Sequence, residues 1–162
     1  MKILVLVLLL SLKTYSQQIL KPDEIIAHND TVYRKVDSLI FTGKVQSLKR
    51  NGNPRFEAQF LNGILLKTSQ YYNTSKSIIS EEKFYNHKRF VMKRIKYSEN
   101  HDILWTTTFN DKGDKILEED FKDGITIYRC PYENKKKHGN VFSIDKEGKI
   151  HECEFFKGKL IK

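Results

Sequence analysis

The sequence predicts an all-β protein, built as a repeat-based, twisted antiparallel meander of β-hairpins. The first observation is a motif that occurs four times: Glu, two residues, Phe, two residues, then Gly or His. Its copies span residues 57–63, 81–87, 118–124 and 152–158. The second observation is the alternation of apolar and polar residues with period two between the turns, which is typical of half-buried strands. A motif that repeats turn residues and one aromatic describes an architecture and not an active site.

A second turn signal precedes each copy of the motif. Its positions are 50–52, 111–113 and 146–148, with a degenerate form at 73–75. Asn, Asp and Gly populate positive φ at little cost, which tight hairpin turns require. Each repeat is therefore expected to run strand, turn, strand, turn, and successive repeats to pair into one twisted sheet. Because the later copies lie further apart, extra loops or degenerate strands are expected at 88–102 and 129–138.

The alternation also predicts which side chains are buried. In segment 55–60, Phe56, Ala58 and Phe60 alternate with polar residues. A single-layer meander buries little surface, so we expect aromatic rings on one face to stabilise it, at about 2 kcal/mol for each fully buried ring. The rings assigned to this face are Phe56, Phe60, Phe84, Phe121 and Phe155, with Tyr71, Tyr72 and Trp105 nearby. The repeated carboxylates are assigned to the solvent face, paired with Lys and Arg across strands; they are Glu57, Glu81, Glu118 and Glu152.

The units 42–45, 51–57 and 60–63 resemble the MORN-repeat variant of the bacterial YwqK-family antitoxins. In that variant the unit runs roughly Thr-Gly-x-Val, then Asn-Gly-Lys, then Glu-Gly-x-Tyr-x-Asn-Gly. The opening segment 29–43 and the closing unit 138–160 fit the variant as well. The resemblance therefore spans nearly all of the chain after its N-terminus. The middle units are eroded, and Ala58, Glu119 and Cys153 stand where the family has glycines, so the number of repeats stays open.

The resemblance implies a MORN-like hairpin array that binds a protein partner as an antitoxin or immunity-type protein, although a fold alone does not set a function. No catalytic residue, cofactor or metal is expected. The five histidines show no metal-ligand spacing, and the chain has neither a nucleophile elbow nor a phosphate-binding glycine loop. His87 occupies the turn-glycine position of the second copy, where we expect it to tolerate a turn.

The N-terminus has the pattern of a secretory signal peptide at residues 1–16. Lys2 provides a positive charge, an apolar run covers residues 3–10, and cleavage is predicted between Ser16 and Gln17. That run is too short to span a bilayer, and no other is long enough, so no transmembrane span is expected after cleavage. Residues 17–162 would then form a single repeat domain, exported to the periplasm, the cell surface or the medium.

Cys130 and Cys153 are the two cysteines of the chain. An exported protein meets an oxidising compartment, which favours a disulfide between them, worth about 3 kcal/mol in the chain-entropy model. Cys153 also shares a strand face with Phe155, which favours buried free thiols instead. Both interpretations stay open at this point. A catalytic cysteine is not indicated, because no matched His and Asn or Asp context is visible.

The chain is basic, with 29 Lys and Arg against 20 Asp and Glu and a formal net charge of +9. The densest cluster, Lys135, Lys136 and Lys137, is a candidate contact for an anionic lipid or glycan. A solvated loop or a lysine-protected sheet edge is the alternative. Nucleic acid is not an expected partner, since an exported protein rarely meets it. The predicted function is an exported, non-catalytic protein-binding module; the alternative is an envelope-surface module that binds anionic lipid or glycan through basic loops.

Overall fold

A computed structural model describes residues 18–162 of the chain. The signal peptide expected at 1–16 and its cleavage point between Ser16 and Gln17 lie outside the described residues. Within the described part, regular structure is strand apart from one 3₁₀ turn at Pro22–Glu24. The strands are β1 (Gln18–Leu20), β2 (Ile25–His28), β3 (Thr31–Arg34), β4 (Gly43–Leu48), β5 (Pro54–Leu61), β6 (Ile64–Tyr71), β7 (Ile79–Tyr85), β8 (Val91–Tyr97), β9 (Ile103–Phe109), β10 (Lys115–Lys122), β11 (Ile125–Glu133), β12 (Lys136–Lys137), β13 (Gly139–Ile144), β14 (Ile150–Phe156) and β15 (Lys159–Leu160).

One long sheet contains all of these strands except β2 and β3, which form a separate hairpin. Its order is β1, then β4 to β11 in sequence, then β13, β14 and β15, with β12 paired only to β11. Neighbouring strands are antiparallel, apart from the parallel pair of β1 and β4. The predicted all-β meander of successive hairpins is therefore confirmed, and the extra strand expected in 88–102 is β8. Residues 18–162 contain no helix that is long and apolar enough to cross a membrane.

Two kinds of turn join the strands. Two-residue turns place both residues at positive φ, as at Asn62 (48°) and Gly63 (76°). Five-residue loops place their fourth residue there; these positions are Gly52, Arg89, His101, Gly113 and Gly148. We expected His87 to occupy the turn-glycine position of the second copy of the motif. The structure corrects this expectation, because Arg89, and not His87, has the positive φ in that loop.

Four of the five-residue loops share one hydrogen-bonding arrangement. In the loop after β9, Asn110 Oδ1 accepts from the backbone N–H groups of Lys112 at 3.0 Å and Asp114 at 2.9 Å. The same two bonds are made by the first side chain of three other loops, which is Asn86, Ser98 or Asp145. A short polar side chain at the first position thus satisfies backbone donors that the turn leaves without partners.

Register divides the sheet into two faces, because residues paired side by side on neighbouring strands share a face. The first face is defined by the row Ser47, Phe56, Gln70, Glu81, Lys96, Trp105, Asp120, Tyr128, Ser143 and His151. The second face is defined by the row Gln46, Glu57, Ser69, Glu82, Ile95, Thr106, Glu119, Arg129, Phe142 and Glu152. Both rows mix apolar and charged residues, so neither face is uniformly apolar.

The expectation that the aromatic rings share one face is wrong. Phe56 belongs to the first face, whereas Phe84 pairs with Lys67 on the second face, two positions from Glu82. Phe121 directly follows Asp120 of the first-face row, and it therefore also lies on the second face. The rings stabilise both faces of the sheet instead of one.

The assignment of the repeated carboxylates to a single face is wrong for the same reason. Glu57 lies on the second face and Glu81 on the first, while Glu82 occupies the row of Glu57. Ser69 on β6 pairs with both Glu57 and Glu82, so the second copy of the motif is displaced by one residue from the row of the first. A shift of one residue moves every side chain of a strand to the other face.

The apolar core lies at the N-terminal end of the sheet. It consists of five buried side chains, which are Val32, Phe41, Val45, Ala58 and Phe60. The hairpin β2–β3 contributes Val32 and packs on the first face of β4 and β5, where the rings of Phe41 and Phe60 lie 6.0 Å apart. This end of the sheet is therefore covered.

The turn between β5 and β6 anchors the hairpin. The N–H of Val32 donates to the carbonyl of Gly63 at 3.0 Å, and the N–H of Gly63 donates to the carbonyl of Phe41 at 2.7 Å. A Cβ on Gly63 would lie 2.4 Å from Cγ2 of Thr31. Both its positive φ and this close approach therefore require glycine at position 63.

Candidate functional site

The C-terminal edge of the sheet is formed by β14. Along one side, β14 pairs with β13 from Ile150 to Phe155. On its other side it pairs with β15 only near its end, where the N–H of Glu154 donates to the carbonyl of Lys162 at 2.8 Å and the carbonyl of Glu154 accepts from Ile161 at 2.8 Å. The first part of β14 therefore has a neighbour on one side only within the part of the chain that the structure describes.

The orientation of the free backbone groups follows from the alternation of an antiparallel ladder. The N–H and C=O of one residue point to the same side of a strand, and the next residue points to the opposite side. The backbone N–H and C=O of Glu154 point outward to the C-terminal tail. Those of Glu152 and Ile150 therefore point outward too. Among residues 18–162 their amide and carbonyl groups have no backbone partner, which makes this edge a template for a further strand.

Exposed apolar side chains surround the free edge. The exposed fractions are 59% for Ile150, 52% for Phe156, 62% for Leu160 and 58% for Ile161. A depression of about 380 Å³ beside the edge is lined by Asn140, Glu152, Cys153, Glu154 and Lys162. We call the outward backbone of Ile150 and Glu152, with these four apolar side chains, the C-terminal edge site.

The sequence contained an indirect signal for this site. In a meander the last long strand lies at an edge, so the fourth copy of the motif, 152–158, was placed there by order alone. The exposure of its apolar residues was not predicted, because Phe155 and its neighbours were assigned to an apolar face. Glu152 and Glu154 are exposed and share the second face at this edge.

The two cysteines are not joined in this structure. Both are free thiols, with Cys130 fully buried and Cys153 half-buried. They lie on β11 and β14, and β13 runs between these strands, with Val141 paired to Cys153. Two strand spacings separate Cα atoms by about 10 Å, whereas a disulfide needs about 4.4–6.8 Å. The geometry fits the alternative of free thiols and not the disulfide.

The lysine cluster 135–137 is partly engaged with the protein itself. Lys135 lies in the turn between β11 and β12, with Nζ 3.6 Å from Oδ1 of Asp114 and a side chain that is 81% exposed. The ammonium group of Lys137 lies 5.3 Å from the centre of the Phe155 ring, in the position of a cation–π contact. Lys136 is exposed on β12. The structure therefore does not present three free ammonium groups on one surface.

Carboxylates in the middle of the sheet are held by cations and hydroxyls. Glu82 is buried and accepts from Lys67 at 2.8 Å, Ser69 at 3.1 Å and Tyr97 at 2.9 Å. Burial alone raises the pKa of Glu82, but the hydrogen bonds from Lys67 and Tyr97 outweigh it and hold that pKa below its ordinary value. Burial and the hydrogen bond to Glu82 raise the pKa of Tyr97 to about 12. The carboxylate is therefore ionised and the phenol protonated at neutral pH.

Glu118 on the first face has an equivalent environment. It accepts from Lys115 at 3.0 Å and from the hydroxyl of Tyr132 at 2.8 Å. Burial raises its pKa, and these two hydrogen bonds lower it by more, so the net shift is downward. Each of these carboxylates thus has a fixed structural partner. Within residues 18–162 no three His, Cys, Asp or Glu side chains converge to hold a metal ion.

The sequence comparisons identify no family, and two solved structures are weakly similar to the chain. No family model and no curated protein matches the chain. One similar solved structure is the crystal structure of the GtfA/B complex bound to UDP and GlcNAc, with 8% identity and a TM-score of 0.45. Another is the Glycosylation Associate Protein (Gap123) complex from Streptococcus agalactiae, with 15% identity and a TM-score of 0.41.

The alignments cover 62% and 76% of this chain, but only 22% and 23% of the two solved chains. The chain thus spans less than a quarter of either of them. Both likenesses are too low in identity and TM-score to bear on what this protein does.

Proposed function

We propose that this protein is an exported, non-catalytic binding module that contacts a partner protein through its C-terminal edge site. The observation that carries the proposal is the outward-facing backbone of Ile150 and Glu152, surrounded by exposed apolar side chains. Free strand edges promote pairing with other chains, and natural proteins usually cover or charge them. Within residues 18–162 the outward backbone of Ile150 and Glu152 is unpaired, and such an edge is suited to accept a strand from a partner.

The binding mode is the addition of one extended segment of the partner to β14. Backbone hydrogen bonds to Glu152 and Ile150 supply affinity, and alternate side chains supply specificity. Glu152 lies on the second face, so a basic side chain placed opposite it forms a favourable cross-strand pair. An apolar side chain opposite Ile150 covers its exposed surface.

The resemblance to the MORN-repeat variant supports the kind of partner. It implies an antitoxin or immunity-type role, in which the protein neutralises a toxin by forming a stoichiometric complex. Protection against the toxin then depends on the complex, and protection that persists without a detectable complex counts against this role.

The test is an affinity purification of tagged residues 17–162 from the protein's own cells, followed by mass spectrometry. Glu152→Pro removes the outward N–H, and proline is tolerated where an edge-strand N–H faces solvent. Glu152→Ala is the matched control, since it removes the same side chain and keeps the N–H. We expect one stoichiometric partner, lost with Glu152→Pro and retained with Glu152→Ala. A partner retained by both variants, or the absence of any partner, contradicts strand addition at this edge.

A further inference from the structure

A basic furrow lies at the opposite end of the strand order, where the β4–β5 loop meets the β6–β7 connection. Its central depression of about 510 Å³ is lined by Leu48, Lys49, Arg50, Arg55, Tyr71 and Asn73. Two shallower depressions extend it, one past Tyr71 to Gln70 and one past Asn73 to Ser75. We call this continuous surface the basic furrow. Three cations line it, and none of its lining residues is an acid.

The walls of the furrow are held in place by Lys49 and Asn53. Lys49 Nζ donates to the carbonyl of Tyr72 and, at 3.3 Å, to that of Thr74. Asn53 Nδ2 donates to the carbonyl of Ser75. The ammonium of Lys49 therefore ties two loops together, and it is a positioning group.

Arg50 and Arg55 are the cations that remain for a ligand. Both are exposed, and in the part of the chain that the structure describes neither guanidinium forms an ion pair or a hydrogen bond. The nearest carboxylate along the strand, Glu57, is paired with Lys44 at 2.9 Å. The field of the two guanidiniums is thus not neutralised locally.

Tyr71 adds a third donor and an aromatic surface. Phe56 on β5 pairs with Gln70 on β6. One position further along, Arg55 on β5 therefore lies opposite Tyr71 on β6. Burial, together with the charges of Glu57 and Glu82, raises the pKa of Tyr71, so its hydroxyl is protonated and can donate. The amide of Asn73 lies next to it along the furrow.

From this geometry we propose that the basic furrow binds an anionic glycan. Arg50 and Arg55 receive a sulfate, phosphate or carboxylate group of the chain, for which guanidinium geometry is suited. Tyr71 donates its hydroxyl and offers its ring to a sugar, and the amide of Asn73 binds a sugar hydroxyl. The site is independent of the C-terminal edge site, and it differs from the lysine cluster 135–137.

The test measures binding of dextran sulfate, polygalacturonate and neutral dextran by isothermal titration calorimetry. The double variant Arg50→Gln, Arg55→Gln removes two charges from the furrow. The matched control Lys135→Gln, Lys136→Gln removes two charges elsewhere. We expect at least one of the two anionic polymers to bind and neutral dextran not to bind. The furrow variant should weaken binding about tenfold or more, and the control should change it by less than about twofold.

Several outcomes overturn the proposal. Equal loss in both double variants means that binding follows net charge, and loss in the control alone assigns the site to the lysine cluster. Equal binding of neutral dextran removes the role of the anionic group, and no binding of any polymer removes the site. Phosphatidylglycerol vesicles that bind more tightly than the polymers, with the same loss in the furrow variant, make the ligand a lipid headgroup. In the partner purification the furrow variant should behave as the unmodified protein, so the two proposals fail separately.

Discussion

The N-terminal and C-terminal ends of the sheet differ in how much of their apolar surface is covered by other segments. At the N-terminal end, the hairpin β2–β3 and the buried ring of Phe41 cover β4 and β5. At the C-terminal end, the described residues beside β14 are those of β15 and residues 161–162, and Ile150 and Phe156 on β14 are exposed. Because the buried apolar cluster lies at the covered end, we expect stability to be concentrated there.

The largest effect is expected from removing an aromatic ring at the covered end. Phe41→Ala leaves a cavity in the core and should lower the free energy of unfolding by about 3–5 kcal/mol. Phe156→Ala removes the same side chain at the open end, where it is half-exposed, and should cost less than about 1.5 kcal/mol. Urea denaturation of both variants measures the comparison, and equal losses would show that the ends are equally stable.

The second prediction compares two glycines with the same backbone conformation. Gly63 and Gly124 both have a φ of 76° in two-residue turns, but only Gly63 approaches another segment. Alanine at either position strains the turn by about 1 kcal/mol. At Gly63 the contact with Thr31 should add about 1–3 kcal/mol. Thermal unfolding of the two variants measures the comparison, because the strain is common to both and the contact with the β2–β3 hairpin occurs at Gly63 alone. Equal melting temperatures would mean that the hairpin does not pack against this turn.

The third prediction uses two glutamates of the second-face row. Glu82 has a folded-state pKa below its ordinary value of 4.5, so its stabilising effect is complete above that value and is lost as the pH falls through the folded pKa. Glu82→Gln should therefore lower stability at pH 7 by about 1–3 kcal/mol and make the loss below pH 4.5 shallower. Glu152→Gln, at an exposed position of the open end, should change stability at pH 7 by less than about 0.5 kcal/mol. Denaturation across pH 2–7 measures both, and parallel pH profiles for the two variants would count against the paired carboxylate.

The smallest effect is expected in backbone protection at the open edge. The amide of Glu152 points to solvent, while that of Cys153 points toward β13 and pairs in the ladder. Hydrogen exchange measured by NMR should therefore be fast at Glu152 and slower at Cys153. When a partner strand binds, exchange of the Glu152 amide should become slow, and exchange of the Cys153 amide should stay unchanged. Slow exchange at Glu152 in the isolated protein would show that another segment already covers the edge.

The sequence was sufficient for the fold class because turn chemistry is local. Asn62, Gly63 and Gly113 specify their turns through positive φ, whatever surrounds them. The faces of the strands could not be obtained in this way. Whether Glu81 or Glu82 shares a row with Glu57 depends on the length of the β6–β7 connection and on the register that follows it, and both are settled by pairing across strands.

The candidate sites show the same limit. Arg50 and Arg55 are five residues apart in the sequence, and Tyr71 belongs to another strand, so no short motif could bring them together. The lysine cluster was visible because its members are consecutive, yet the structure engages Lys135 with Asp114 and Lys137 with Phe155. A run of consecutive charged residues in the sequence therefore does not show that their charges are unpaired on the surface of the sheet.

The strand order of the meander has a consequence for the order in which the strands fold and unfold. From β5 to β11 each strand contacts the strands before and after it in the chain, so the order of pairing in space follows the order of synthesis. Such a ladder approximates a one-dimensional array, in which each hairpin adds its own stability and a coupling to its neighbour. Contacts between strands near in sequence also favour rapid folding. Unfolding should then begin at β14 and β15 and advance hairpin by hairpin toward the N-terminal core, which is the last part to open.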